Sequence, residues 1–303
     1  MSVQTSRLEQ TPNSTARSES AARTQLHRAL VQLNRKRMTP TLDVRFSRAE
    51  LMREAELRQL EHDFIEGERR AVQAAVADAP TQPGAFVAWF EGLRDWGPGQ
   101  GDALFPWLAN EAGLDQMKWF LEQEMAGEAG FDDLVASTQI KLPPRAKLEM
   151  ARNYWDEMGQ GTESGMHGPM LEGLAKALEL EPEVDRTVWQ SLALANLMSG
   201  LASNRHYTYQ SVGALGAIEL TAPGRSAQVN AGLKRLGQSG SARRYYALHA
   251  TLDIKHAEAW QREVLYSLVE QEPRTARLIA EGALMRLQAG ARCFVRYRQE
   301  LWG

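Results

Sequence analysis

A single cysteine, Cys293, occurs in 303 residues. One thiol cannot close an internal disulfide, which agrees with a reducing compartment, and it leaves no thiolate cluster for a structural metal. Long hydrophobic runs are missing too. No stretch approaches the roughly 18 consecutive apolar residues of a bilayer span, and the first residues lack the apolar core of a signal peptide. The expected location is therefore cytoplasmic, with no membrane partner. Nor is there an excess of charge of one sign: 35 Lys and Arg stand against 38 Asp and Glu, a net charge of −3. That removes the electrostatic basis for binding nucleic acid and leaves a small molecule as the expected partner. Sustained apolar/polar alternation bounded by hairpin turns is also absent, which excludes a β-rich fold.

What the chain does contain is apolar residues at helical spacing from Thr24 onward. With 43% hydrophobic and 24% charged residues the composition is that of an ordinary globular protein. Residues 1–23, rich in Ser, Thr, Gln and Asn with almost no large apolar side chain, are expected to form a flexible tail. Residues 24–303 are expected to form one all-α domain, a single helical bundle. Ser47 and Glu50 have capping-box spacing for a long helix to about residue 79, closed by the Pro/Gly cluster at 80–84. A second break falls at GPGQG, residues 97–101, before a helix from Asp102. Asp115 is expected to cap the next helix, and Pro143-Pro144 to open one that ends near Glu157. A glycine-rich loop spans 159–165. Helices are expected to resume near Met166, Asp185, Tyr207, Ser226 and Ala242, with a last one from Pro273 to about Trp302.

The six histidines are scarce and unevenly placed. His249, Asp253 and His256 stand at i, i+4 and i+7, a single stripe on a helix, where imidazole and carboxylate can converge on a metal ion. A second group is NYWDEMGQG at 153–161. There Asp156 and Glu157 end a helix against its dipole, a placement that a bound cation would compensate, and His167 follows ten residues after Glu157. Glu157 reaches an ion held by His167 only if Gly159 and Gly161 turn the loop back towards the bundle. A third is GALGAIEL at 213–220, where Glu219 stands among small and apolar residues that permit close helix approach; a lone buried glutamate needs a compensating charge. The acidic segment at 120–128 supplies Glu124, with Glu128 one turn further on as its alternative. Carboxylates from four helices with added imidazoles, and no thiolate, suit iron or manganese. The ExxH pairs of ferritin-like carboxylate proteins are missing.

With NYWDEMGQG, His167, GALGAIEL and LHATLDIKH in this order and spacing, the chain resembles the haem-oxygenase-like di-iron oxidase and oxygenase superfamily, the iron-containing redox enzymes, over roughly residues 107–301. The resemblance implies an all-α haem-oxygenase-like bundle and an O₂-activating non-haem di-iron oxidoreductase. Its cofactors would be two Fe ions, cycling between Fe²⁺ and Fe³⁺, and O₂. The implied ligands are Glu124, His167, Glu219, His249, Asp253 and His256, with Glu157 as an additional carboxylate. In that family the extra glutamate goes with N-oxygenation, so the expected reaction is N-oxygenation of a small amine, guanidine or amino-heterocycle in specialised metabolism. The alternative is cleavage of a C–C bond in, or desaturation of, an amino acid or fatty acid. The implied partners are the substrate and an external electron donor, with a homodimer left open. Arg205, Tyr209 and Arg225 flank the Glu219 helix and are expected to hold a substrate carboxylate. His27, His62 and His206 are expected to be solvated or capping.

Overall fold

Residues 12–303 are described in a computed structural model. Among them the chain forms helices and turns, with one isolated antiparallel bridge, Met158 to Met166, and no strand. The helices are α1 (Pro12–Met38), α2 (Arg48–Val76), α3 (Pro83–Trp96), α4 (Leu104–Asn110), α5 (Leu114–Ala126), α6 (Phe131–Thr138) and α7 (Pro144–Glu157). After the glycine loop come α8 (His167–Leu178), α9 (Trp189–Ser203), α10 (Thr208–Arg235), α11 (Arg244–Ala259), α12 (Tyr266–Gln271) and α13 (Thr275–Leu301).

Most of the expected boundaries follow from local chemistry. Ser47 caps α2: its hydroxyl accepts from the Glu50 amide while the Glu50 carboxylate accepts from the Ser47 amide. Pro144 opens α7 at the first-turn position, where a missing N–H costs nothing. Three expectations are corrected. Residues 1–11 of the expected tail lie outside the described residues, but residues 12–23 belong to α1. Their side chains from 17 to 23 are exposed, as the polar composition requires, and Arg23 stacks over Trp189 at 4.9 Å, which ties this end of the helix to α9. Gly113, not Asp115, is the N-cap of α5, with Gln116 closing back onto its amide. No new helix starts near Ser226, because α10 runs unbroken through Pro223. The proline withdraws the N–H that would reach the Glu219 carbonyl, and packing of α10 on α4, α11 and α13 keeps the helix continuous across the gap.

α10 is the central element. A Cβ at Gly213 would collide with the Ile279 carbonyl of α13, and one at Gly282 would collide with the Gln210 carbonyl of α10, so two glycines facing each other set the contact distance of these helices. A Cβ at Gly216 would lie 2.7 Å from Nε1 of Trp260, the residue that opens a π-helical turn, Trp260–Leu265, at the end of α11. Beside this seam a buried polar network joins α2, α10 and α13. Glu281 accepts from Arg69 Nε at 3.0 Å and from Gln210 Nε2 at 3.0 Å. Apolar side chains fill the space on both sides of α10, with Trp260, Phe86 and Phe90 in one cluster and Phe105, Phe120 and Tyr297 in the other.

His62 and His206 are exposed, as expected, but His27 is not. Its ring is 2% exposed, lies edge-on to Phe64 and stacks on Trp189. Burial, followed by the charges of Arg292 and Arg23, lowers its pKa to about 4 from 6.5. The native fold thus holds this ring neutral. Its contribution to stability is complete above pH 6.5 and is lost as the pH falls through about 4, by roughly 3 kcal/mol. Urea unfolding of the His27→Leu variant should therefore be less dependent on pH between 6.5 and 4 than that of the native chain. Identical profiles would show that His27 is not buried neutral.

Candidate metal centre

Four helices deliver the polar side chains of the centre. α7 brings Glu157 at its last residue, α8 brings His167 at its first, α10 brings Glu219 at its midpoint, and α11 brings His249, Asp253 and His256. The loop between α7 and α8 does turn back. Gly159, Gln160 and Gly161 all have positive φ, and the Met158–Met166 bridge closes the loop at its base. A Cβ at Gly159 would lie 2.5 Å from the Gly165 carbonyl carbon, so the two limbs approach only because that position lacks a side chain. The result is a distance of 3.0 Å between Glu157 Oε2 and His167 Nδ1.

Glu157, Glu219 and Asp253 are 4%, 2% and 3% exposed, and His167, His249 and His256 are similarly enclosed. Glu157 is common to two groups of closely spaced donors, Glu157–His167–His249 and Glu157–Glu219–His256. Its Oε2 faces Nδ1 of His167 and Nε2 of His249, at 3.0 and 3.7 Å, while its Oε1 lies 3.8 Å from Nδ1 of His256. Sequence reasoning put Glu157 with His167 alone; the structure puts it between both groups. Glu219 Oε2 is 3.4 Å from His256 Nδ1, and Glu219 Oε1 accepts from Asn153 Nδ2 at 2.5 Å.

The outward ring nitrogens are held by the surrounding protein. His249 donates from Nδ1 to the Tyr245 carbonyl at 2.7 Å, and His256 donates from Nε2 to Asp156 at 3.2 Å. Each bond fixes ring orientation and leaves the opposite nitrogen facing the carboxylates, the arrangement that metal-ligating histidines adopt. The Tyr245 hydroxyl is 3.2 Å from Nε2 of His167, and burial keeps that phenol protonated.

The electrostatics call for a cation. Among the described residues no Lys or Arg pairs with Glu157, Glu219 or Asp253. Burial opposes ionisation of Glu157, but His167 and His249 outweigh it and hold the carboxyl far below its ordinary range. Burial opposes charging of His167 as well, and Glu128 and Glu157 override it to bring the ring to about 10; for His256 burial is overcome in the same way by Glu219 and Asp156, again to about 10. Asp253 is pushed up by burial and then by Glu219 and Glu157. Protons thus occupy the positions where positive charge is needed. Asp253 Oδ1 and His256 Nδ1 are enclosed without a hydrogen-bond partner, a costly state for buried polar atoms. An all-oxygen and nitrogen donor set with two orphaned donors and a surplus of negative charge fits one or two divalent ions of the iron or manganese type.

The remaining sequence candidates separate. Glu124 stays on α5 and accepts from the Tyr297 hydroxyl at 2.8 Å, outside both donor groups. α5 ends at Ala126, and the turn that follows swings Glu128 round to accept from the amides of Gly130 and Phe131 and to lie 3.4 Å from His167 Nε2. Of the two glutamates, then, Glu128 faces the histidine. Arg225 lines a cavity of about 180 Å³ that opens from Glu157, His167, Glu219, His249 and Asp253. Arg205 and Tyr209 do not line it: Arg205 binds the carbonyls of Ser137, Thr138 and Ile140, and Tyr209 packs against the apolar core. Tyr245, Asn153 and Arg286 were not picked out from the sequence. Asn153 lies within NYWDEMGQG and Tyr245 three residues before LHATLDIKH, whereas Arg286 had no local signal.

A family model described as "Iron-containing redox enzyme" matches residues 118–291, which include every residue of both donor groups. No curated protein matches the chain.

His167 and His256 carry protons at neutral pH in the metal-free protein, so ferrous or cobaltous ion should release protons on binding, with affinity rising between pH 6 and 8. Calorimetry in buffers of different ionisation enthalpy measures that release. His249→Ala and His256→Ala should each lose bound metal while keeping the helical far-ultraviolet signal. Metal uptake equal to that of the native chain in both variants would mean that the histidine stripe does not bind metal.

Proposed function

The chain belongs to the family of iron-containing redox enzymes, and from that premise we propose that it uses two iron ions and O₂ to N-oxygenate a small amine. One observation carries the reading: the two oxygens of the Glu157 carboxylate face different histidine groups, as a carboxylate shared by two ions requires. The proposed ligands are Glu157, His167, Glu219, His249, Asp253 and His256. Glu128 replaces Glu124 as the glutamate beside His167. In the resemblance drawn from the sequence, a glutamate at the position of Glu157 accompanies N-oxygenation.

A bound ferrous pair would supply the electrons that reduce O₂. One oxygen atom enters the amine to give a hydroxylamine, and the other leaves as water at the cost of two electrons from an external donor and two protons. The protein's own contribution is orientation and exclusion of water. The Tyr245 carbonyl and Asp156 fix the two α11 imidazoles, Asn153 fixes Glu219, and Phe120, Phe131, Leu171 and Ile218 wall the cavity in which the amine would lie. Its volume of about 180 Å³ falls below the roughly 300–1,000 Å³ of sites for drug-sized ligands and supports a small substrate. The Tyr245 hydroxyl lines the cavity 3.2 Å from His167 Nε2, positioned to hold a proton there.

Glu157→Ala should abolish amine-dependent O₂ consumption and lower iron content. Asp156→Ala, which removes the hydrogen bond to His256 and an exposed one from Gln160, should cost about 10- to 100-fold in metal affinity. Hydroxylamine, nitroso or nitro products from the iron-loaded native protein, read by mass spectrometry against a panel of amines, support N-oxygenation. Chain-shortened or desaturated products would overturn it in favour of oxidative cleavage or desaturation, and equal activity of Glu157→Ala and the native chain would remove Glu157 from the site.

A further inference from the structure

The cavity has a second polar wall. Besides the donors of the metal centre it is lined by Glu124, Ser191, Arg225, Arg286 and Tyr297. Arg225 lies six residues beyond Glu219 on α10, about 9 Å along the axis at 1.5 Å per residue. This wall is therefore displaced from the carboxylates of the centre by the length of a small substrate. Burial acts first against both guanidiniums and lowers their pKa; Arg286 lowers that of Arg225 further, while Glu124 favours the charge of both.

Arg225 is anchored. Its Nε donates to the Thr221 carbonyl at 3.1 Å and its Nη2 to the Thr221 hydroxyl. Arg286 is not: its Nε and Nη1 are fully enclosed and have no hydrogen-bond partner among the described residues. Unpaired donors on a buried guanidinium are expensive, because the group loses its hydration without replacement. The neighbouring helix turn makes room for it. A Cβ at Gly290, one turn along α13, would lie 2.8 Å from Arg286 Nη1. Two carboxylates share this lining: Glu124, whose Oε1 is taken by Tyr297, and Glu128, which is turned to His167 and to the amides of Gly130 and Phe131. Among the described residues neither guanidinium forms an ion pair with them.

We infer that Arg286, with Arg225 beside it, is the binding subsite for a single carboxylate of the substrate, whose amine reaches the metal centre from the other end of the cavity. A planar guanidinium pairs bidentately with a carboxylate, which would supply the counter-ion that neither arginine finds within the protein. Glu124 and Tyr297 then define the rim of that subsite. The substrate class is an amine that also bears a carboxylate, the two separated by a short carbon chain. This assignment rests on the cavity being the substrate cavity of the proposed function, but it concerns binding and is read without turnover.

The test uses the full chain, iron-loaded and anaerobic, titrated by calorimetry with ω-aminocarboxylates from 4-aminobutanoate to 8-aminooctanoate and with the alkylamines of matching length. At least one aminocarboxylate should bind more tightly than its alkylamine by a factor of about 10 to 100, the worth of a hydrogen-bonded charge pair. Arg286→Met should abolish that preference, leave alkylamine binding and iron content as they were, and keep the native melting profile, since methionine fills the same space without a charge. Arg286→Lys should restore part of the preference. Gly290→Ala, which displaces the guanidinium while retaining its charge, should weaken aminocarboxylate binding selectively. If no aminocarboxylate is preferred, or if Arg286→Met keeps the preference, the subsite is wrong. A preference that survives in native protein yielding no N-oxygenated product would retain the subsite and overturn the reaction instead.

Discussion

Burying Glu157, Glu219 and Asp253 together in a helical interior is the constraint on which the rest of this structure turns. Each carboxylate loses hydration, each repels the other two, and the side chains available to compensate are imidazoles. Desolvating a charge without a partner costs several kcal/mol even after the protein relaxes. In the absence of metal the chain meets that cost by protonating His167 and His256 and by raising the affinity of Asp253 for a proton. Such an arrangement is poised for cations, because every proton that neutralises it stands at an atom able to coordinate metal.

A second buried carboxylate shows the contrast. Glu281 is 4% exposed, comparable to Glu157, yet it is matched by Arg69, Gln73 and Gln210, so that its oxygens are fully used within the protein. This network ties α2 to α10 and α13 and pairs both Glu281 oxygens. The two clusters use the same chemistry for different ends: one is closed by arginine and amide, and the other is left open to a divalent ion.

The geometry of the open cluster depends on close backbone approach at two places. Gly213 and Gly282 bring α10 and α13 into contact, which fixes the helix that carries both Glu219 and Arg225 against the helix that carries Arg286. Gly159 lets the α7–α8 loop fold on itself, which sets His167 against Glu157. Directly after the histidine stripe α11 widens into a π-helical turn around Trp260, a distortion frequent at functional sites.

The amino-acid sequence by itself determined the all-helical class, the starts of α2 at Ser47 and of α7 at Pro144, and the placing of His249, Asp253 and His256 on one face of a helix, because helical periodicity and capping act over a few residues. It also carried the close helix approach beside Glu219, since the small residues at 213 and 216 hold that information locally. Tertiary structure alone decided the rest. Which of Glu124 and Glu128 lies beside His167 hangs on where α5 stops and how the turn after Ala126 folds. The sharing of Glu157 between two histidine groups depends on distances between α7, α8 and α11 that no spacing encodes. α10 passes through Pro223 because contacts with three other helices outweigh a local penalty of about 3 kcal/mol. Arg286, on a long amphipathic helix, has the same sequence signature as a solvated arginine, and only the packing of α10, α13 and α5 around it turns its charge inward. Burial is a property of the assembled bundle, and it is burial that converts ordinary acids, histidines and arginines into binding groups.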